Sequence, residues 1–154
     1  MDPASKTVTW SYPLDSGSLS SPAVEFRSTL GVCYNLEHCT PPPDYYDILY
    51  VASGKTLYGF DIKANHDTLA CSASLAYASG TSSPVVIPNA LLIGDTAGNL
   101  VGFDTTACKS GLPNAAMVNV LGLPLAPGIP IASSPIVADG SVYVDTEYGF
   151  FALQ

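Results

Sequence analysis

The tripeptide Ser-Ser-Pro occurs three times, at Ser20-Ser21-Pro22, Ser82-Ser83-Pro84 and Ser133-Ser134-Pro135, and each occurrence opens a similar passage. After the second comes "VVIPNALLIGDTAGNLVGFD" and after the third "IVADGSVYVDTEYGFFALQ". A gapless overlay sets Ile93 on Tyr143, Asp95 on Asp145, Thr96 on Thr146 and Phe103 on Leu153. The first copy carries an insertion, after which "LYVASGKTLYGFD" overlays "LIGDTAGNLVGFD" with Phe60 on Phe103 and Asp61 on Asp104. A unit recurring at tens of residues cannot bury its apolar side alone, so the chain must stack units on one another.

Within each copy the apolar runs are short, rich in Val, Ile, Leu, Tyr and Phe, and separated by Gly, Asn, Asp and Ser. "ILYVA", "LLIGD" and "VYVDT" read as one strand, and "TLYGFD", "NLVGFD" and "GFFALQ" as the next, joined by tight turns at Ser53-Gly54-Lys55, Ala97-Gly98 and Glu147-Tyr148-Gly149. The segments after each proline, "AVEF", "VVI" and "IV", read as buried strands, because proline at a strand start loses no ladder hydrogen bond. A fourth strand follows in "CSASLAYA" and "MVNVLGL". Repeat cores therefore span about 20–77, 82–123 and 133–154, with an insertion at 25–47, all in one domain over 1–154.

The third copy has no fourth strand after it, while "TVTWSYPL", residues 7–14, reads as a fourth strand with nothing before it. Pairing the two would close the array and remove an exposed edge, with Trp10 meeting Phe150, Phe151 and Leu153 in the same chain or in a neighbour.

Charged residues make up only 12% of the 154, against 47% apolar, with 13 Gly and 13 Pro. That balance fits a turn-dense all-β fold and excludes disorder. Five basic residues against 13 acidic ones leave a net charge of −8, so no basic patch exists for nucleic acid or anionic membrane. No apolar run is long enough for a membrane span, and "MDPASKTVTW" is no signal peptide.

Cysteines number four. Cys33 and Cys39 bracket the short loop "CYNLEHC" and read as an oxidised pair, leaving Cys71 and Cys108 to pair or stay free. Zinc is the rival for the first pair, with His38 beside it, but the spacing fits no common knuckle. "CYNLEHCTPPPDYYD" is the most individual stretch: its prolines stiffen it, and Tyr34, Tyr45 and Tyr46 offer contact surface for a partner or cover for the first unit's flank.

The passages "SSPVVIPNALLIGDTAGNLVGFDTTAC" and "SSPIVADGSVYVDTEYGFFALQ" resemble the pyrroloquinoline-quinone-like β-propeller repeat. That repeat occurs in quinoprotein alcohol dehydrogenases, in the lipoprotein of the bacterial outer-membrane assembly machine and in luminal domains of stress kinases. "LYVASGKTLYGFDIK" and "VYVDTEYGFFAL" fit its middle portion, and Trp10 stands where its blade-closing tryptophan falls, with Ser72 and Val120 there in later copies. The resemblance implies an all-β propeller-type array of about three four-stranded antiparallel blades, fewer than a full propeller.

The quinone site of those dehydrogenases does not carry over: there is no vicinal Cys-Cys, and Trp10 is the single tryptophan. No cofactor and no catalytic residue are expected. Asp95 and Asp145 read either as converging carboxylates for a cation or as residues capping their own turns. The second is preferred, and Asp61 and Asp104 read likewise. His66, beside Asp67, has no nucleophile elbow near it and reads as a turn residue.

The expected role is a non-catalytic scaffold or interaction module of an exported or cell-surface protein, associating with its own copies or with other blades of a larger protein. The alternatives are a fragment of a quinoprotein-like oxidoreductase, or a carbohydrate- or cation-binding piece using the tyrosine-rich loop.

Overall fold

The computed structural model describes residues 10–17, 20–27, 46–62, 68–108 and 114–154. Within them the chain is all-β, arranged in three small sheets. The first orders β1 (Ala23–Arg27), β2 (Tyr46–Ser53), β3 (Thr56–Asp61) and β4 (Leu69–Ser74), and adds a two-residue parallel strand, β8 (Ala115–Ala116), outside β4. The second orders β5 (Val85–Ile87), β6 (Ala90–Gly94), β7 (Asn99–Asp104) and β9 (Val118–Pro124). The third has β10 (Ile136–Ala138), β11 (Ser141–Thr146) and β12 (Gly149–Leu153), with β12 at its edge. The uniform four-stranded units expected from the sequence are therefore five, four and three strands among the described residues.

The repeat is visible rung by rung. Ala23 pairs with Tyr50 and Tyr50 with Gly59; Val85 pairs with Leu92 and Leu92 with Gly102; Ile136 pairs with Tyr143 and Tyr143 with Ala152. The β3–β4 and β7–β9 ladders both slip immediately after the glycine, between Gly59 and Phe60 and between Gly102 and Phe103. A side chain at Gly59 would lie 2.4 Å from Cys71 Sγ, and one at Gly102 would lie 2.9 Å from Leu121 Cβ. Glycine is thus required where a fourth strand crosses closely. The third sheet has Ala152 there, with no strand beside it among the described residues.

These rungs correct the gapless overlay. Tyr143 corresponds to Leu92, not Ile93, because the β6–β7 loop is one residue longer than the two-residue turns between Ser53 and Thr56 and between Thr146 and Gly149. Asp145 accordingly stands at the position of Gly94, and Thr146 at that of Asp95.

Strand alternation gives each sheet two faces. The leading face of the first sheet (Ile48, Tyr50, Ala52, Leu57) shares one apolar cluster with the trailing face of the second (Leu91, Ile93, Val101, Phe103). Leu92 and Leu100, on the second sheet's leading face, share another with Val137, Val142, Val144 and Leu153 of the third. Each interface is an apolar side-chain layer stabilised by burial, at roughly 25 cal/mol per Å2 of apolar surface. The strands after each proline lie side by side, β1 next to β5 and β5 next to β10. They are only half-buried, with Ile136 open, rather than the buried strands expected, because each is its sheet's first edge.

A disulfide staples the first junction: Cys71 in β4 joins Cys108 in the turn after β7, with Cα atoms 5.1 Å apart. In the chain-entropy view, closing a loop of this size stabilises by about 4 kcal/mol.

Candidate interaction surface

The second serine of each Ser-Ser-Pro links one sheet to the next. Ser21 N–H donates to Ser83 Oγ at 2.8 Å, and Ser83 N–H donates to Ser134 Oγ at 3.1 Å. The first serine ties its own sheet: Ser20 Oγ–H donates to the Ala52 carbonyl (3.2 Å), Ser82 Oγ accepts from Gly94 N–H (2.9 Å), and Ser133 Oγ accepts from Asp145 N–H (3.1 Å). Ser82 Oγ–H also reaches across to the Ser133 carbonyl at 2.9 Å. The motif is thus the seam of the stack as well as the opening of a strand, and the two adjacent serines before each proline are the signal of that second role.

The trailing face of the first sheet carries Tyr58 and Phe60, both buried. Residues 10–16 cover them. Trp10 meets Phe60 edge-on at 5.2 Å, and Tyr12 lies 4.9 Å from Phe60 and 6.0 Å from Tyr58. Thr56 Oγ1–H donates to Asp15 Oδ2 at 2.7 Å, and Ser16 N–H donates to Ser53 Oγ at 3.2 Å. The hydrogen bonds from Thr56 and then Tyr58 hold the Asp15 carboxyl below its usual range. Burial, followed by the Asp15 hydrogen bond, pushes the Tyr58 phenol up.

Trp10 therefore sits against β3 of the first sheet, where the expectation of closure within one chain put it beside Phe150, Phe151 and Leu153. Residues 10–14 pair with no strand. The aromatic contacts to Phe60 and Tyr58 decide the placement. Ser16 lies on Ser53, four residues before Ser20, as Ala78 lies on Thr96, four residues before Ser82, through a 2.8 Å backbone bond. The segment follows the course of the chain leaving β4, but without a sheet of its own beside it.

At the other end the leading face of the third sheet is open. Ile136 is 62% exposed and Phe150 67%, Ala152 is exposed, and the Tyr143 and Phe150 rings stack 5.8 Å apart. The matching residues of the other sheets, Tyr50 and Leu92, are buried. Phe151 and Leu153 turn the other way and are half-buried, Leu153 in the layer against the second sheet.

Asp95 and Asp104 are turn residues. Asp95 Oδ1 accepts from the Ala97 and Asn99 backbone N–H groups, both at 2.9 Å, and Asn99 Nδ2 donates to the same carboxylate; Asp104 Oδ1 accepts from Thr106 N–H at 2.7 Å. In the third sheet Thr146 does this work, its Oγ1 accepting from Tyr148 N–H. Asp95 and Asp145 thus form no converging pair, being at different positions of the repeat. Among the described residues no group of three or more His, Cys, Asp or Glu is placed to hold a metal ion, and no helix is long and apolar enough to cross a membrane. Cys33, Cys39, Tyr34, Tyr45, His38 and His66 lie outside the described residues, and Tyr46 opens β2.

No family model matches the sequence, and no curated protein does. Among solved structures, the crystal structure of BamB from Moraxella catarrhalis is similar, with a TM-score of 0.53 and 19% identity over 69% of this chain and 30% of that one. The chain thus spans under a third of that structure's length, and the likeness is one of fold.

Proposed function

We propose that this chain is a non-catalytic interaction module built of consecutive blades of the pyrroloquinoline-quinone-like β-propeller type. The repeated rungs, the serine seam and the fold likeness to part of BamB support the propeller reading. The single observation that carries the interaction role is the open leading face of the third sheet, where Ile136 and Phe150 are exposed beside a half-buried Tyr143, while Tyr50, Leu57, Leu92 and Leu100 on the same face of the other sheets are buried. Contiguous exposed apolar surface of this kind marks association sites. The partner is another blade, from a second copy or from a larger propeller.

The Cys71–Cys108 disulfide supports an oxidising, exported setting. In this reading Cys33 and Cys39 pin a second contact loop bearing Tyr34, Tyr45 and Tyr46, and Phe150, Phe151 and Leu153 form the strand that a partner strand completes.

Two experiments test the role. An apolar dye binds the dilute wild type, and the pair Ile136→Ser and Phe150→Ser together abolishes that binding. Pyrroloquinoline quinone with calcium leaves absorbance and Tm unchanged; a shift in either would restore the oxidoreductase reading in place of this one.

A further inference from the structure

The serine seam has two loose ends, and they are complementary. At one end Ser21 donates its N–H to Ser83, while its Oγ makes no hydrogen bond among the described residues. At the other, Ser134 Oγ accepts from Ser83, while the Ser134 N–H has no partner among the described residues. Each internal link is an N–H of one copy of the motif on the Oγ of the next. The missing link at the third sheet therefore requires a serine hydroxyl in the position of Ser21.

The same polarity runs through the rest of both ends. The third sheet presents an apolar leading face and a β12 edge with no strand beside it among the described residues. The first sheet's side presents residues 10–14, which lie on the trailing face of that sheet as β4 lies on the second, but hydrogen-bond to no strand. Donor faces acceptor, the open face meets the cover of a trailing face, and the edge without a fourth strand meets a segment without a sheet.

Resting on the interaction-module reading, we infer that a second copy of this chain docks head to tail. Ser134 N–H of one copy donates to Ser21 Oγ of the other, the segment around Trp10 of the second copy lies along β12 of the first, and Ile136 and Phe150 are covered at the joint. The internal junctions are continued by this contact, so its geometry is that of an interface the chain already builds twice. The contact is heterologous: the two surfaces used are different patches, one at each end of the chain.

That asymmetry gives a complementation test. Ile136→Asp disables one end and Ser21→Glu the other, and both positions are exposed, so neither substitution disturbs a core. By native mass spectrometry wild type associates, each variant alone runs at 16.0 kDa, and the equimolar mixture gives a species of twice that mass. Separately, Ser21→Cys and Ser134→Cys, mixed and mildly oxidised, join through those two cysteines, whereas neither variant alone makes a linked pair.

Two results overturn the inference while leaving the interaction role in place. One is a wild type that stays at 16.0 kDa at every concentration while still binding the dye, because the face would then belong to a different protein. The other is association that the mixture does not rescue, or that links like cysteines, because the contact would then be face to face. Loss of dye binding together with association would instead remove the interaction role itself.

Discussion

The two ends of the stack are made from the same repeat and finished differently. At the first sheet, Tyr58 and Phe60 lie beneath Trp10 and Tyr12, and hydrogen bonds from Thr56 to Asp15 and from Ser16 to Ser53 fasten the cover. At the third sheet, Tyr143 and Phe150 stack on each other, and Ile136 and Phe150 face solvent. What differs is the chain at hand: residues 10–16 lie over one end, and no described segment lies over the other. Apolar strands alone do not make a core; they need a second layer.

The largest expected contrast is between the two phenylalanines. Phe60→Ala removes a ring that is 1% exposed and should cost about 3–5 kcal/mol in chemical denaturation. Phe150→Ala removes a ring that is 67% exposed and should change stability, measured where the chain is monomeric, by about 0.5 kcal/mol or less. Equal losses would break the comparison.

Next come the residues at one rung. Gly59→Ala pushes a methyl group against Cys71 Sγ and the Tyr50 ring and should lower stability by about 1–3 kcal/mol. Ala152→Gly sits at the equivalent position of a strand with no neighbour on that side; by thermal melting it should cost about 1 kcal/mol at most, the usual strand penalty for glycine.

The smallest effect is the acid release of the cover. The folded state holds Asp15 below its usual pKa, so its contribution is fully present above the unfolded value of about 4 and is lost as pH falls through the lower folded value. Tyr58 is raised instead; its contribution is present below about 10 and lost as pH rises through the higher folded value. Trp10 is the single tryptophan, so its emission should shift to the red on acidification, and Asp15→Asn should remove the part of that shift that follows the Asp15 titration.

The comparison also shows what the sequence could and could not convey. Strand positions were legible because Val, Ile, Leu, Tyr and Phe runs lie between turn residues, and the three Ser-Ser-Pro segments marked the units. The turn role of Asp95 and Asp104 was legible too, since a short carboxylate before a tight turn reaches its own backbone. Register was misread: the overlay that paired Asp95 with Asp145 ignored the one extra residue in the β6–β7 loop, although aligning on Ser82 and Ser133 would have set Leu92 on Tyr143. That slip exchanges the faces of β11 but leaves β12 in place: Phe150 stands at the position of Leu100 either way, and it is exposed because no described segment covers this face. The segment around Trp10 reads as a strand completing the last sheet, whereas residues 10–14 form no strand and Trp10 meets Phe60; that contact depends on a tertiary approach that no local pattern encodes. The β8 strand of two residues is too short to leave a pattern at all.

Amide hydrogen exchange across β12, measured as protein concentration rises, tests most directly whether the third sheet is an unfinished end. The unpaired edge amides of Gly149–Leu153 should exchange fast at high dilution and slow down on concentration, while the amides of β7, already between β6 and β9, stay unchanged. Edge amides that are fully protected at high dilution would contradict it; edge amides that remain fast at every concentration would leave the end unfinished and contradict its completion by a second copy.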